Sequence, residues 1–396
     1  MTPLLKKFLG LNWVIVINIA LLIVFGVYVI SIAAESRPGF GTKWSQQVVW
    51  SIIGGVVMVV TALIDYKWLR WGAWFMYVAA IIGLIVVKLV GVTQQSGARS
   101  WIAVGSITVQ PSQFAIIAGI SVLAIVFGDL QRVAPIFRYP FLRIALGGLM
   151  SVVPMLMILE EPDLGSAMVW GPTFVGMILV GSIPFRYLIA LLLAVLTILP
   201  FAYFFGLKEY QRARIDTYID MLTNKPVNIQ ESAWVPYHLQ LAVGSAGFQG
   251  KHSLAKTGTM TSAKRTIHET FFPNEAINDF ISGVICEEFG FRGMVLLITG
   301  MSLLIFQLIF VAFYSRDQMG RLITVGIVAA LSTYIFMNIG MNMLLVPITG
   351  LPLPFISYGG TFMVVVLFMI GLVQSVWVHR NTSPARRASS RDEDDE

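Results

Sequence analysis

LITVGIVAALSTYIFMNIGMNMLLVPITGLPLPFISYGGTFMVVVLFMIGLVQSVWVH (residues 322–379) runs for 58 residues without an Asp, Glu, Lys or Arg. A bilayer-spanning helix needs about 20 mostly apolar residues. The run is too long for one span, and Pro347, Pro352 and Pro354 cut it. It reads as two spans, 322–346 and 359–378, joined by PITGLPLPFISYGG, which cannot be a regular helix. The same criterion finds eight more spans upstream, at 12–34, 46–64, 72–92, 114–128, 142–159, 167–181, 187–205 and 294–314. The first is too long, and lacks the small-residue cleavage site, for a removed signal peptide. The fold class is an all-α polytopic membrane protein with ten spans. Residues 1–380 are read as one transmembrane domain and 381–396 as a disordered cytoplasmic tail.

Composition agrees. Apolar residues make up 57% of the chain and charged residues 12%, about half the usual charged share. Mean hydropathy is +0.78. A soluble globular enzyme and a disordered chain are excluded. The net charge of +6 has no basic domain to carry it, so nucleic acid is not an expected partner. A single cysteine, Cys286, excludes an internal disulfide framework and a Cys-based zinc site. With the N-terminus inside, fourteen Lys and Arg fall on inner segments and four on short outer ones. That asymmetry places both termini in the cytoplasm.

The polar chemistry collects in the outer segment 206–292, between spans seven and eight. A long loop with its own apolar pieces is more often functional than idle. Its cations and carboxylates suit an anionic lipid headgroup. Glu275 and Asp279 are four apart and share a face if helical. Asp279 stands near the start of a helix leading into span eight. From periodicity it is either a helix cap or an acid–base group. Glu287 and Glu288 read as a solvated pair or as partners of Arg292. His238, His252 and His268 show no metal-ligand spacing. Asp163 fits a helix cap, and Lys88 snorkels from the end of span three. Gly97, Arg99 and Trp101 read as an interfacial loop. The proline-broken run is a candidate cavity wall, through Pro354, Ser357, Tyr358, Gly359 and Gly360, or an ordinary outer loop.

Six runs together resemble the SEDS family of bacterial cell-wall polymerases, the RodA and FtsW proteins. They are WIAVGSITVQPSQF (101–114), EPDLGSA (161–167), YQRARI (210–215), YHLQLAVGSAGFQGK (237–251), FFPNEAINDFISGVICEEFGFRG (271–293) and NIGMNMLLVPITGLPLPFISYGG (338–360). The resemblance implies a membrane glycosyltransferase that polymerises lipid II into glycan strands. Asp279 would be its essential acid, as general base or metal ligand. Arg212, Arg214, Lys251, Glu275 and Gln240 would bind substrate. A divalent cation, Mg or Mn, is a candidate cofactor. The implied partners are a class B penicillin-binding protein and components of an elongation or division complex. The implied location is the inner membrane. Gly250 and Lys251 lean towards the elongation type. The chain departs from the family pattern at Gln113 and Ile116, where the family carries a Glu and a Lys, and at Ser100, where it carries an Arg. A lipid II flippase or a non-catalytic scaffold for a penicillin-binding protein are the competing readings. Ten spans suit transport, but ionisable residues are almost absent near the midplane of these spans.

Overall fold

In lipid a backbone polar group finds a partner only within its own helix, so each apolar run forms one. The computed structural model describes residues 2–35, 41–92, 100–105, 107–223, 225–230, 233–251 and 275–380. The tail, Arg99, and the remainder of the outer segment, with His252, His268 and Pro273, lie outside the described residues.

A short α1 (Pro3–Leu9) precedes α2 (Trp13–Glu35), α3 (Lys43–Leu63) and α4 (Leu69–Val90). Strands β1 (Ile102–Val104) and β2 (Ile107–Val109) follow, then α5 (Pro111–Gly128), α6 (Leu130–Val133), α7 (Pro140–Glu160), α8 (Leu164–Val180) and α9 (Phe185–Phe201). Segment 206–292 contributes α10 (Glu209–Leu222) and α11 (Trp234–Ser245). The chain closes with α12 (Ile281–Tyr314), α13 (Gln318–Asn342) and α14 (Gly360–Val378). Eight of these helices are long and apolar enough to span, and Leu164–Val180 and Phe185–Ile198 are shorter apolar helices. Together they match the ten expected runs.

The strands were not expected. They form an antiparallel hairpin pairing Ile102 with Val109 and Val104 with Ile107. β-Branched residues flank a turn in which Gly105 takes a φ of +63°. The hairpin delivers Pro111 to the first turn of α5, where its missing N–H costs nothing.

The helix α5 is apolar on every side and accordingly sits inside, with 94% of its span buried. By contrast α3, α4 and α7 bury under a third of theirs, leaving broad apolar faces for lipid. The α3–α14 contact is close because Gly371 lies against the backbone of Met58, where a Cβ would come within 2.7 Å of the carbonyl oxygen.

Charged side chains link helices at two ends. At one end Arg70 pairs with Asp129 at 2.7 Å, Arg143 donates to the carbonyls of Phe127 and Gly181, and Gln318 donates to that of Val180. At the other, Lys88 pairs with Glu160 at 2.6 Å. Both partners of that pair are exposed, so Lys88 does reach the surface, and the pair is worth little.

Span eight is longer than expected. As one rod α12 would measure about 50 Å, well beyond the hydrocarbon core. It is broken at Gly290, with φ 67° and ψ −159°. Residues 281–289 form a buried re-entrant piece, and the span proper follows.

Candidate active site

Asp279 lies in a turn over residues 275–280, directly before the re-entrant piece. Glu275 and Asp279 therefore do not share a helical face. The turn closes on itself, Asn278 and Phe280 both donating their backbone N–H to the Glu275 carbonyl. Phe280 occupies the cap position of α12, which has no side-chain cap. Asp279 does not serve as that cap, and its carboxylate is left for other work.

Two elements hold the turn, and a third, α3, holds the second of them. From α13, the Asn338 and Asn342 amides donate to the Asp279 carbonyl at 2.9 and 3.1 Å. Asn338 also donates to the Leu351 carbonyl at 2.7 Å and accepts from the Ser282 hydroxyl at 2.9 Å. From the proline-broken strap, the Ser357 hydroxyl donates to the Asn278 carbonyl at 2.6 Å, and the Tyr358 N–H to the Ile277 carbonyl at 2.8 Å. From α3, Gln47 donates to the Ser357 carbonyl and accepts from the Gly359 N–H, and Gln46 accepts from the Tyr358 hydroxyl. The strap's irregular backbone is thus satisfied by specific side chains. Pro354 and Ser357 are buried; Tyr358, Gly359 and Gly360 are half-buried. None of the five lines the apolar groove of about 380 Å³ between α12 and α13, whose walls include Met301, Ile305, Ile335 and Ile339.

The strap also brings Asp163 towards Asp279. Gly350 packs against Asp279, where a Cβ would stand 3.3 Å from Oδ2. Gly165, in the first turn of α8, packs against Thr349 and Leu351 on the same strap. Asp163 caps α8, accepting from the Ser166 N–H at 3.0 Å, as its sequence suggests. It also accepts from the Gln110 amide at 2.8 Å. Gln110 and Gln113 extend a polar chain to Ser166 and Tyr334, while Ile116 packs in the apolar core. An amide–hydroxyl network thus takes in Gln113, where the family pattern puts a Glu, and apolar packing takes in Ile116, where it puts a Lys.

The electrostatics follow from burial. Asp279 is half-buried, and burial pushes its carboxyl up to about 8; Glu275 and Asp163 add to the rise and Arg214 opposes it. Burial raises Glu275 as well, again against Arg214. Next to Asp163, Glu161 is buried and pushed up to about 8 by burial, with Asp163 adding.

The expected cations separate. Arg214 is exposed, and its field acts on both Asp279 and Glu275. Arg212 turns back on its own segment, donating to the Phe204 carbonyl at 2.6 Å and lying over the Tyr203 ring. Lys251 is buried and pairs with Glu287 at 2.6 Å. Gln240 is exposed on α11. Glu287 and Glu288 are fully buried, not solvated, and Arg292 is exposed. Among the described residues no three Asp, Glu, His or Cys side chains converge as a metal site.

Asn338, Asn342, Gln110 and the facing role of Asp163 were not read from the sequence. A signal existed for the asparagines: two amides four apart, on one face of an otherwise apolar span, are rarely idle in lipid.

Fold and site together define a polytopic membrane protein in which Glu161, Asp163, Glu275 and Asp279, carboxyls raised by burial, lie near one another. A family model described as cell cycle protein, FTSW_RODA_SPOVE, matches residues 9–382, and the chain belongs to this family. The peptidoglycan glycosyltransferase MrdB of Escherichia coli K12 is 29% identical over 331 residues, covering 83% of this chain and 84% of that one. A probable peptidoglycan glycosyltransferase FtsW of Geobacter metallireducens is 29% identical over 390 residues, covering 96% and 98%. A solved peptidoglycan synthase complex that coordinates polymerisation and crosslinking contains a chain of like fold, with a TM-score of 0.74 and 24% identity, covering 94% of this chain and 99% of that one.

Proposed function

We propose that this chain is a peptidoglycan glycosyltransferase that polymerises lipid II at the outer face of the bacterial cytoplasmic membrane, in cell-wall elongation. The observation that carries the reading is Asp279: a half-buried carboxylate with a raised pKa, on a turn pinned through its backbone so that its side chain is free for chemistry.

The acceptor sugar hydroxyl attacks the anomeric carbon of the donor. The bond from that carbon to the pyrophosphate oxygen breaks, and polyprenyl pyrophosphate leaves with the electron pair. The configuration inverts from α to β. Asp279, ionised, takes the hydroxyl proton as general base, a role worth about 10²–10⁴-fold. Arg214 faces the charge that develops on the leaving group. Holding both substrates in the bilayer removes part of the encounter entropy. A divalent cation, Mg or Mn, belongs on this reading with the pyrophosphate, since Mg²⁺ is typically held by one or two carboxylates plus substrate phosphates. A class B penicillin-binding protein is the partner that crosslinks the strands.

The pH dependence is a test. Activity should rise with pH through about 8 as Asp279 ionises. Arg214 lowers that pKa, so Arg214→Gln should move the rising limb to higher pH and raise KM for lipid II. An unchanged limb would detach Arg214 from Asp279.

On this reading both termini are cytoplasmic. The one native cysteine, Cys286, is buried. A cysteine placed at Gln240 should react with a membrane-impermeant maleimide in spheroplasts, and one placed at Thr2 should react only after lysis. The reverse pattern would invert the topology.

A further inference from the structure

The break in α12 is filled from outside the helix. Past Gly290, the N–H groups of Phe291 and Arg292 donate to the carbonyls of Gly247 and Phe248 at 3.0 and 3.4 Å. Those carbonyls belong to the loop after α11. The two backbones touch at Gly250 and Gly290, both with positive φ. A Cβ on Gly250 would lie 2.3 Å from the Glu288 carbonyl oxygen and 2.4 Å from the Gly290 nitrogen. One on Gly290 would lie 2.5 Å from the Gly250 nitrogen. Only glycine meets glycine at this distance without displacing backbone. The next residue, Lys251, reaches the fully buried Glu287 at 2.6 Å, one turn before the break.

We propose that Lys251 and Glu287 are positioning residues: with the Gly250–Gly290 contact they form a clamp by which the loop after α11 fixes the re-entrant piece of α12, and with it Asp279. The contact sets the angle at the break, and the ion pair sets the rotation of residues 281–289 about their own axis. Asp279 lies two residues before that piece, so its carboxylate inherits both. This deepens the glycosyltransferase reading and rests on it for its catalytic consequence. The mechanical part stands by itself. Lys251 is then a brace for the site rather than a ligand for substrate phosphate.

A buried pair broken on one side leaves an uncompensated charge, whereas neutralising both sides together is often tolerated. This separates brace from ligand. Cys286, beside Glu287 and buried, reports whether the piece is seated, without reference to activity. The experiment uses full-length protein in detergent with an uncharged thiol reagent, beside lipid II polymerisation. Lys251→Met should expose Cys286, speeding its alkylation by about tenfold or more, and should lower kcat by a similar factor. Gly250→Ala should do the same. Lys251→Met/Glu287→Gln should restore Cys286 protection and most of kcat, with KM for lipid II at the wild-type value. A double variant with Cys286 protected but activity lost through a raised KM would make Lys251 a substrate ligand and overturn the proposal. So would a Lys251→Met protein with Cys286 protected and full activity. If wild type itself made no glycan, the cysteine readout would still decide the clamp, and only the glycosyltransferase reading would fall.

Discussion

Asp279→Asn should abolish glycan polymerisation and leave a protein that melts above wild type at alkaline pH. The activity loss follows from removing the base, about 10²–10⁴-fold. The stability gain follows from linkage. In the fold the Asp279 carboxyl is raised to about 8, against about 3.9 in an unfolded chain. The folded protein holds this proton more tightly. The group's contribution is therefore complete below about pH 4 and is lost as pH rises through about 8. Asparagine carries no charge to bury, and it leaves the bonds to the Asp279 carbonyl from Asn338 and Asn342 in place. The gap in melting temperature should widen from pH 5 to pH 9, measured by intrinsic fluorescence in detergent. An Asn variant that keeps its polymerase activity would remove Asp279 from the mechanism. One that melts far below wild type at every pH would make Asp279 a structural residue.

Asn338→Leu should produce the second large effect. The side chain is fully buried and serves three partners: the Asp279 carbonyl, the Leu351 carbonyl and the Ser282 hydroxyl. Leucine is close in volume but offers no bond. Asp279 keeps the Asn342 donor, whereas the Leu351 carbonyl loses its side-chain donor. A buried group left without its partner costs about 1–3 kcal/mol, so the total should be on the order of 3 kcal/mol. The catalytic consequence is larger in kind. The turn and the strap lose the α13 side chain that bonds to both, keeping only the direct bonds from Ser357 and Tyr358, and a misplacement near 1 Å can cost about 10²-fold. Asn342→Leu should be milder, because Asn338 still holds both carbonyls. Equal effects from the two substitutions would show that the Asn338 bond to the Leu351 carbonyl adds nothing to the hold on the turn.

What the sequence made legible follows from range. Hydropathy is local, so the spans could be read within a few residues of their ends. The cap at Asp163 was legible for the same reason, since Ser166 is three residues away. Resemblance supplied Asp279, and the structure explains why periodicity alone left it open: the residue sits in a turn, where helical spacing says nothing. The rest of the site is built from distant partners. Asn338 meets Asp279 across 59 residues, Lys251 meets Glu287 across 36, and Gln47 meets Ser357 across 310. Glu287 and Glu288 looked solvated because two adjacent carboxylates in a membrane protein normally are. The partner of Glu287 is Lys251, which lies on another element. The break at Gly290 was also silent, since a single glycine in a helical pattern is tolerated and marks no boundary. The hairpin at 102–109 is short enough to pass for a loop.

The central claim is that this protein makes glycan strands at Asp279. The direct measurement uses purified full-length protein with a class B penicillin-binding protein, labelled lipid II and a divalent cation in liposomes. Products are resolved on a gel, with Asp279→Ala alongside. Wild type should give a ladder of glycan chains and the variant unpolymerised lipid II. A ladder from both would displace Asp279. No ladder from wild type with the partner present, together with movement of lipid II between leaflets, would contradict the account and make the protein a flippase.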